Sequence, residues 1–303
     1  MTGAQGLIGW HLVEALAKSG AATRAWTRSG EGGWSRPVEN AAIDLTDAES
    51  LARDLYDFAP DIVVHLGARS LVGPSWDDPA LTYRVNVLGS IQLLEAARKL
   101  PKPPRILLAG SSAEYAEPRD DTLIDEGDPL EPNSPYGSSK LAIDEFARLC
   151  VRRYQSDIVR FRPFFLVGPR KVGDVCSDFA RRIVAIERGQ GGVMRVGDLS
   201  VVRDMMDVRD GVAAVLKIAQ EGRRGEIYNI CSGRGVSIGD VLDVYRRMAR
   251  VPIAVETDPG LMRPLEQKSK IGNPAKLRAL GWQPRISMDE MLGAILEYWR
   301  GQP

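Results

Sequence analysis

Short apolar runs alternate with amphipathic stretches through the first half of the chain. A helical pattern starts at about Ile8, "ATRAW" and "AAIDL" are runs of strand length, a helix is predicted over Ala48–Phe58, and "DIVVHL" reads as the next strand. A helix follows over Leu81–Lys99, then the strand "RILLAG", a helix over Tyr136–Tyr154 and the strand "DIVRFRP". Apolar strands separated by helices with one apolar face are the pattern of βαβ units, whose parallel strands are covered on both sides. The predicted fold class is α/β, a Rossmann-type doubly wound parallel sheet.

After Gly168 the pattern changes to helix, short strands, helix and loops punctuated by proline, notably "TDPGLMRP" and "GNPAKLRALGWQP". The reading is a dinucleotide-binding Rossmann domain over 1–167 and a smaller C-terminal substrate-binding lobe over 168–303, some of whose segments return to the Rossmann sheet. One feature departs from the fold. A Rossmann glycine turn follows a buried apolar strand, yet "TGAQGLIG" starts at Thr2, so the first strand reads as truncated. The expectation is a Val/Ile/Leu-rich segment encoded ahead of Met1, the alternative being another segment that covers the central sheet.

Composition narrows the function classes. Lys plus Arg and Asp plus Glu each total 40, which argues against a general nucleic-acid binder. Three cysteines without a CxxC pair and only two histidines, His11 and His65, argue against a disulfide scaffold and a metal site. No apolar run approaches the roughly 20 residues that span a bilayer, and the N-terminus lacks the regions of a signal peptide, so the expectation is a cytoplasmic protein with no membrane partner.

Gly3, Gly6 and Gly9 form GxxGxxG, with Leu7 and Ile8 inside it. Glycines here let the backbone turn close to a pyrophosphate and let the next helix pack, while that helix's N-terminal amides favour phosphate. NAD-preferring sites carry an acid about 20 residues further on. Here the second strand ends in Thr27, Arg28 and Ser29, a cation and hydroxyls suited to a 2′-phosphate, so NADP(H) is preferred, with NAD(H) as the alternative. Asp44 and Leu45 are candidates for the adenine edge, and Leu66, Gly67 and Ala68 end the next strand beside the cofactor, with His65 read as structural.

"SPYGSSKLAIDEFA" sets Tyr136 and Lys140 four apart on one helix face. A tyrosine has a pKa of about 10, and a nearby ammonium stabilises its phenolate, which makes proton exchange with a sugar hydroxyl or ketone feasible; Lys140 also suits the cofactor ribose. Upstream, "RILLAG" delivers "SSAEY", and a serine at a strand end can polarise the same oxygen; Ser111 is the first choice and Ser112 the second.

Taken together, "TGAQGLIG", "HLGA", "NVLG", "SSAEY", "YGSSK" and "RPFFLVGPR" resemble the extended short-chain dehydrogenase/reductases, the NAD-dependent epimerase/dehydratase family, from the glycine turn almost to the C-terminus. Further in, "HLGARSLVGPSW", "CSDFARRI", "GDLSVVRDMMDVRD" and "DPGLMRPLEQ" look like its GDP-mannose 4,6-dehydratase and GDP-4-keto-6-deoxy-mannose reductase branch. The resemblance implies an oxidoreductase acting on a nucleotide sugar, GDP-linked, with Pro163 beside the cofactor. It places Ser70, Ser111, Ser112 and Phe165 around the substrate, Arg203 and Arg263 on the nucleotide diphosphate or ribose, and Glu266 after the "RP" motif. It also implies a homodimer through the helices over Leu81–Lys99 and Tyr136–Tyr154.

Within that family, 4,6-dehydratases resemble one another in a catalytic Glu two residues before the tyrosine of the strand motif. Here that position is Ala113, and Glu114, one residue on, is expected on the opposite face of a strand, unless the strand has already ended and the loop reorients it. The fucose-synthase branch epimerises through a Cys at that position and a downstream His, and neither appears here. The resemblance therefore implies reduction at C4 of a 4-keto-6-deoxy hexose, GDP-4-keto-6-deoxy-D-mannose to GDP-D-rhamnose. Phe165 departs from the Asn that relatives commonly place there, which removes a hydrogen bonder near the sugar diphosphate. The rival readings are a C4 epimerase, a 4,6-dehydratase and, in a different class, a catalytically silent NAD(P)-binding sensor.

Overall fold

The computed structural model describes residues 1–117, 122–262 and 269–303. The chain opens on helix α1 (Leu7–Ser19), strands β1 (Arg24–Thr27) and β2 (Glu39–Ala42), helix α2 (Ala48–Phe58), β3 (Ile62–His65), α3 (Val72–Asp77) and α4 (Pro79–Tyr83). A π-turn over Arg84–Leu88 leads into α5 (Gly89–Arg98), followed by β4 (Arg105–Ala109), α6 (Pro135–Tyr154), β5 (Ile158–Pro163) and β6 (Phe165–Val167). Then come α7 (Val175–Glu187), β7 (Val193–Val196), β8 (Val202–Arg203), β9 (Met205–Asp207), α8 (Val208–Glu221) and β10 (Ile227–Ile230). The described chain closes with β11 (Val236–Ser237), α9 (Ile238–Met248), β12 (Ala254–Thr257), β13 (Ser269–Lys270), α10 (Ala275–Arg278) and α11 (Met288–Arg300).

Helix starts follow short polar side chains. Asp47 accepts from Ser50 N at α2, Ser134 accepts from Gly137 N ahead of Pro135 at α6, and Ser237 and Asp240 cap each other at α9. Each satisfies backbone donors that a helix leaves open. The predicted helix over Leu81–Lys99 is interrupted by the π-turn, because Asn86 turns inward to bond backbone and side-chain groups of neighbouring segments.

Strands β3, β4, β5 and β10 pair in that order, all parallel, and β1 pairs with β2 in parallel beside them. The space between β1 and β3 is filled by Met1–Ala4: Thr2 N donates to Val64 O at 3.0 Å, and Trp26 N donates to Met1 O at 2.8 Å. The alternative of cover by another segment is thus not what the described residues show; the glycine turn's own lead-in joins the two ladders through the Thr2–His65 bridge. Burial pulls the Met1 ammonium, which donates to Arg24 O, down to about 5.

One sheet face buries Leu107, Val159 and Phe161 with Leu12 of α1 and Val215 and Ile218 of α8. The other buries Ile106, Leu108 and Ile158 with Leu51 and Leu55 of α2, Leu93 and Leu94 of α5, and Ile143 and Ala147 of α6. Each fully buried aliphatic side chain contributes about 1.5–3 kcal/mol, so the sheet is clamped from both sides. A third core joins Phe179 and Ile183 of α7, Val241 and Tyr245 of α9, and Leu292 and Ile295 of α11. The parallel arrangement sends the carboxyl ends of β3, β4 and β5 to one edge, where residues 66–68, 110–112 and 163–165 meet the loops. No helix among the described residues is long and apolar enough to cross a membrane.

Candidate active site

At the end of β4 the chain leaves the sheet through Gly110. Ser111 then caps a single 3-10 turn, Ser112–Glu114: its hydroxyl accepts from Ala113 N at 3.1 Å, and Glu114 reaches back to accept from Ser111 N at 2.6 Å. The strand has ended before Glu114, so of the two expectations for this residue the reorienting loop is the one found, and placement on the far strand face is corrected. Glu114 is nonetheless turned away from reactive work, because its carboxylate is fully buried against Arg162 at 2.7 Å.

Helix α6 enters from the other side. Ser75 Oγ accepts from Tyr136 N at 3.2 Å and so holds the first turn, while Gly137, lacking a Cβ, lets the helix press against Ala113 O. Tyr136 and Lys140 are both buried, and the Ser111 hydroxyl stands near enough to the Tyr136 phenol to favour its ionised form. Lys140 Nζ donates to Ala109 O at 2.8 Å. The three residues named from sequence thus converge on the end of β4.

Their electrostatics differ from the sequence expectation. Burial pushes Tyr136 up to about 12, with the Ser111 hydroxyl opposing and the Glu114 charge adding, and the Lys140 ammonium is not what governs it. Lys140 is pulled down to about 8 by burial, with Glu114 opposing. The phenol therefore stands as a neutral proton donor beside a serine hydroxyl, an arrangement that can hold a carbonyl oxygen and deliver a proton to it.

The glycine turn shows why its residues are glycines. Gly3 has φ +66°, and a Cβ there would stand 2.7 Å from Gly67 N; a Cβ on Gly9 would overlap Gly3 O. Gly6 caps α1 without a side chain, and the first turn, which holds Leu7 and Ile8, carries no acid, so its amides face an anion unopposed. At the end of β1, Thr27 Oγ1 is buried with no hydrogen-bond partner, and Arg28 beyond it is exposed. These features fit a dinucleotide, with a donor waiting where its ribose would lie. Asp44 spends its carboxylate on its own turn, accepting from Thr46 N and Oγ1, both at 2.8 Å, and Leu45 packs against Gly67 and Gly89. Leu66 and Ala68 are half-buried at the end of β3, and Pro163 closes β5 opposite Ile230.

The remaining candidates scatter more widely. Ser70 is exposed and Ser112 half-buried. Phe165 packs on the third core with Lys171 Nζ 4.4 Å from its ring centroid, leaving only part of the ring open. Arg203 sits in β8, and Arg263 and Glu266 lie outside the described residues.

Several supporting residues were missed from sequence. Thr2 Oγ1 accepts from Gly67 N at 2.8 Å and Leu66 N at 3.1 Å and contacts His65 Nδ1 at 2.7 Å. His65 Nε2 meets Ser90 Oγ at 2.7 Å, and Ser90 gives its proton to Asn86 O. With that hydroxyl proton committed, His65 carries its own on Nε2 and accepts from Thr2 at Nδ1. His65 is thus structural, held neutral by burial with its pKa lowered to about 3. Asn86 donates to Ser139 Oγ at 2.9 Å and to Arg69 O at 3.1 Å, tying the β3 loop to α6; its signal was its place in "NVLG". Lys270 lies level with Arg203 in the β13–β8 ladder, pulled down to about 8 by burial and then by Arg203.

Residues 1–295 match the family described as GDP-mannose 4,6 dehydratase. The chain is 33% identical to the GDP-6-deoxy-D-mannose reductase of Pseudomonas aeruginosa over 100% of its length and 97% of that protein's. Its fold matches the structure of RMD from Pseudomonas aeruginosa complexed with NADPH at a TM-score of 0.87, with 31% identity, covering 98% of this chain and 97% of that one. It also matches the Thermus thermophilus UDP-glucose 4-epimerase in complex with NAD at a TM-score of 0.88, with 29% identity, covering 99% and 98% of the two chains.

Proposed function

We propose that this chain, which belongs to the GDP-mannose 4,6-dehydratase family, is an NADPH-dependent oxidoreductase that reduces the 4-keto group of a nucleotide-linked 4-keto-6-deoxy hexose, GDP-4-keto-6-deoxy-D-mannose to GDP-D-rhamnose. The observation that carries this reading is the site of Glu114. With Ala113 in the position where dehydratases place their base, and Glu114 locked on Arg162 and the Ser111 amide, neither of these two residues offers a free carboxylate to remove a C5 proton. What remains is a serine and a neutral phenol around one oxygen.

Bound NADPH supplies the hydride. Ser111 holds the keto oxygen by its hydroxyl, and the Tyr136 phenol, neutral because burial raises its pKa, gives that oxygen a proton as it becomes an alcohol. Lys140, fixed on Ala109 O, presents its ammonium to the cofactor ribose. Arg28 and the unpartnered Thr27 hydroxyl favour NADP(H) over NAD(H). On the substrate side, Arg203 and the neighbouring Lys270 face the diphosphate of the nucleotide. We further propose a cytoplasmic homodimer: Leu88 of the π-turn and Leu149 of α6 are 54% and 56% exposed, apolar positions on the helices expected to pair. Three buried, unpaired cysteines suit a reducing compartment.

The test is NADPH oxidation with GDP-4-keto-6-deoxy-mannose. The expected result is stoichiometric consumption, lowered at least 100-fold in kcat by Tyr136→Phe with NADPH affinity within about twofold of the parent. The second reading, a C4 epimerase, draws on the likeness to the Thermus enzyme. It is favoured instead if a UDP- or GDP-hexose is epimerised with no net reductant consumed.

A further inference from the structure

Glu114 takes no part in the reduction, yet it is fully buried among the groups that do. One carboxylate oxygen accepts from Ser111 N at 2.6 Å and the other from Arg162 Nε at 2.7 Å. Two residues before Ser111, Ala109 O accepts from Lys140 Nζ at 2.8 Å. Three consecutive residues, 109–111, therefore carry the catalytic serine at one end and the lysine's anchor at the other, and Glu114 lies so close over the middle one that a Cβ on Gly110 would overlap its Oε1.

The charges around this stretch come from every element packed on it. Strand β5 presents Arg162, whose Nη2 is shared with Asp144 at 2.9 Å, and Asp144 in turn binds Arg160 at 3.1 Å. Helix α6 presents Tyr136, Lys140 and Asp144, β13 presents Lys270, and β3 presents His65, which is neutral. The two arginines are matched by the two carboxylates, and Glu114 is the acid whose field reaches Lys140. A buried ammonium bonded to one carbonyl needs such an opposing charge to stay protonated.

We propose that Glu114 is a positioning residue of the reaction: it fixes the backbone that aims Ser111, and it is the counter-charge that keeps Lys140 an ammonium toward the cofactor ribose. The proposal rests on the reading of Lys140 given above, and it adds a role for an acid displaced by one residue from the dehydratase position. Burial draws Lys140 down to about 8 with the Glu114 charge opposing, and burial lifts the Glu114 carboxyl itself to about 7, so the counter-charge is present above that pH, where Lys140 titrates. Removing that charge without removing the hydrogen-bond acceptor separates the electrostatic part from the mechanical part.

The experiment is NADPH affinity of the full chain measured by fluorescence from pH 6 to 10, in the parent, Glu114→Gln and Glu114→Asp, with thermal melts alongside. The parent is expected to lose affinity as Lys140 deprotonates, and Glu114→Gln to move that break down by roughly one pH unit, the effect of one charge at this range in a half-screened interior. Glu114→Asp keeps the charge but not the reach, so its break stays while kcat falls at least tenfold. A folded Glu114→Gln whose break coincides with the parent's overturns the proposal. If Glu114→Gln does not fold, Glu114→Asp decides, and parental kcat in it overturns the proposal. Because the binding readout uses no sugar, absence of keto-sugar reduction by the parent defeats the substrate reading, and then Glu114→Gln alone decides this one.

Discussion

The hydroxyl of Thr2 offers a sharp test of how the glycine turn is held. It is the shared partner of three buried groups: it accepts from Leu66 N at 3.1 Å and Gly67 N at 2.8 Å, and it donates to His65 Nδ1 at 2.7 Å. Thr2→Val keeps the shape and removes all three bonds at once. An orphaned buried polar group costs about 1–3 kcal/mol, and some relaxation is expected in the Leu66 amide, so the loss is about 3 kcal/mol. Unfolding entropy of ~2.1 cal/mol/K per residue over 303 residues is ~0.6 kcal/mol/K, so the midpoint falls by about 5 °C. Thr2→Ser retains the hydroxyl and should fall by no more than about 2 °C. Thermal melts followed by circular dichroism give both numbers, and NADPH titration should show weaker binding only in Thr2→Val, since Gly67 lies beside the cofactor turn. A Thr2→Val melt within 1 °C of the parent would refute the shared-partner reading.

Other consequences are as direct. His65 is neutral in the fold with its pKa lowered to about 3, while the unfolded chain takes up a proton below 6.5. Its contribution is whole above pH 6.5 and is lost at about 1.4 kcal/mol per unit as pH falls through that window, so urea midpoints of the parent should drop more steeply between pH 6.5 and 4.5 than those of His65→Asn. Arg28→Glu should raise the NADPH Kd at least tenfold, about 1.4 kcal/mol, and change the NADH Kd less than threefold; equal losses for both would place Arg28 away from the 2′-phosphate. Leu149→Glu should convert a dimer to a monomer in light scattering with an unchanged melting curve of the monomer, and an unaltered mass would move the interface elsewhere. Arg162→Met, which strands Glu114 and leaves Asp144 with Arg160 alone, should destabilise the chain by about 3–5 kcal/mol in urea titration.

What could be read from sequence was what depends on spacing along one element. Tyr136 and Lys140 share a face because they are four apart on α6, and Ser111 meets them because β4 ends where the helix begins. The long-range polar partners were not legible. Ser75 holds Tyr136 N across 61 positions, and Lys270 stands beside Arg203 only because β13 pairs with β8. No local pattern ranks one hydroxyl or one lysine above the others for such work, since the choice is made by tertiary position.

Glu114 shows where strand alternation stops being a guide. The strand ends at Ala109 and a 3-10 turn follows, so the face of this residue is set by the turn and not by the pleat. The residue is held by a local bond to the Ser111 amide and by an ion pair with Arg162, and the second of these needs a β5 arginine that no local pattern points to. Tyr136 departs from its expectation. A lysine four residues on was expected to make the phenol more acidic, and in a wet site it would. Here the phenol is buried, and desolvation, opposed only by the Ser111 hydroxyl, pushes it up to about 12. Whether the phenol of such a pair is more or less acidic than a free tyrosine is thus set by how much water its neighbours exclude, which spacing alone does not encode.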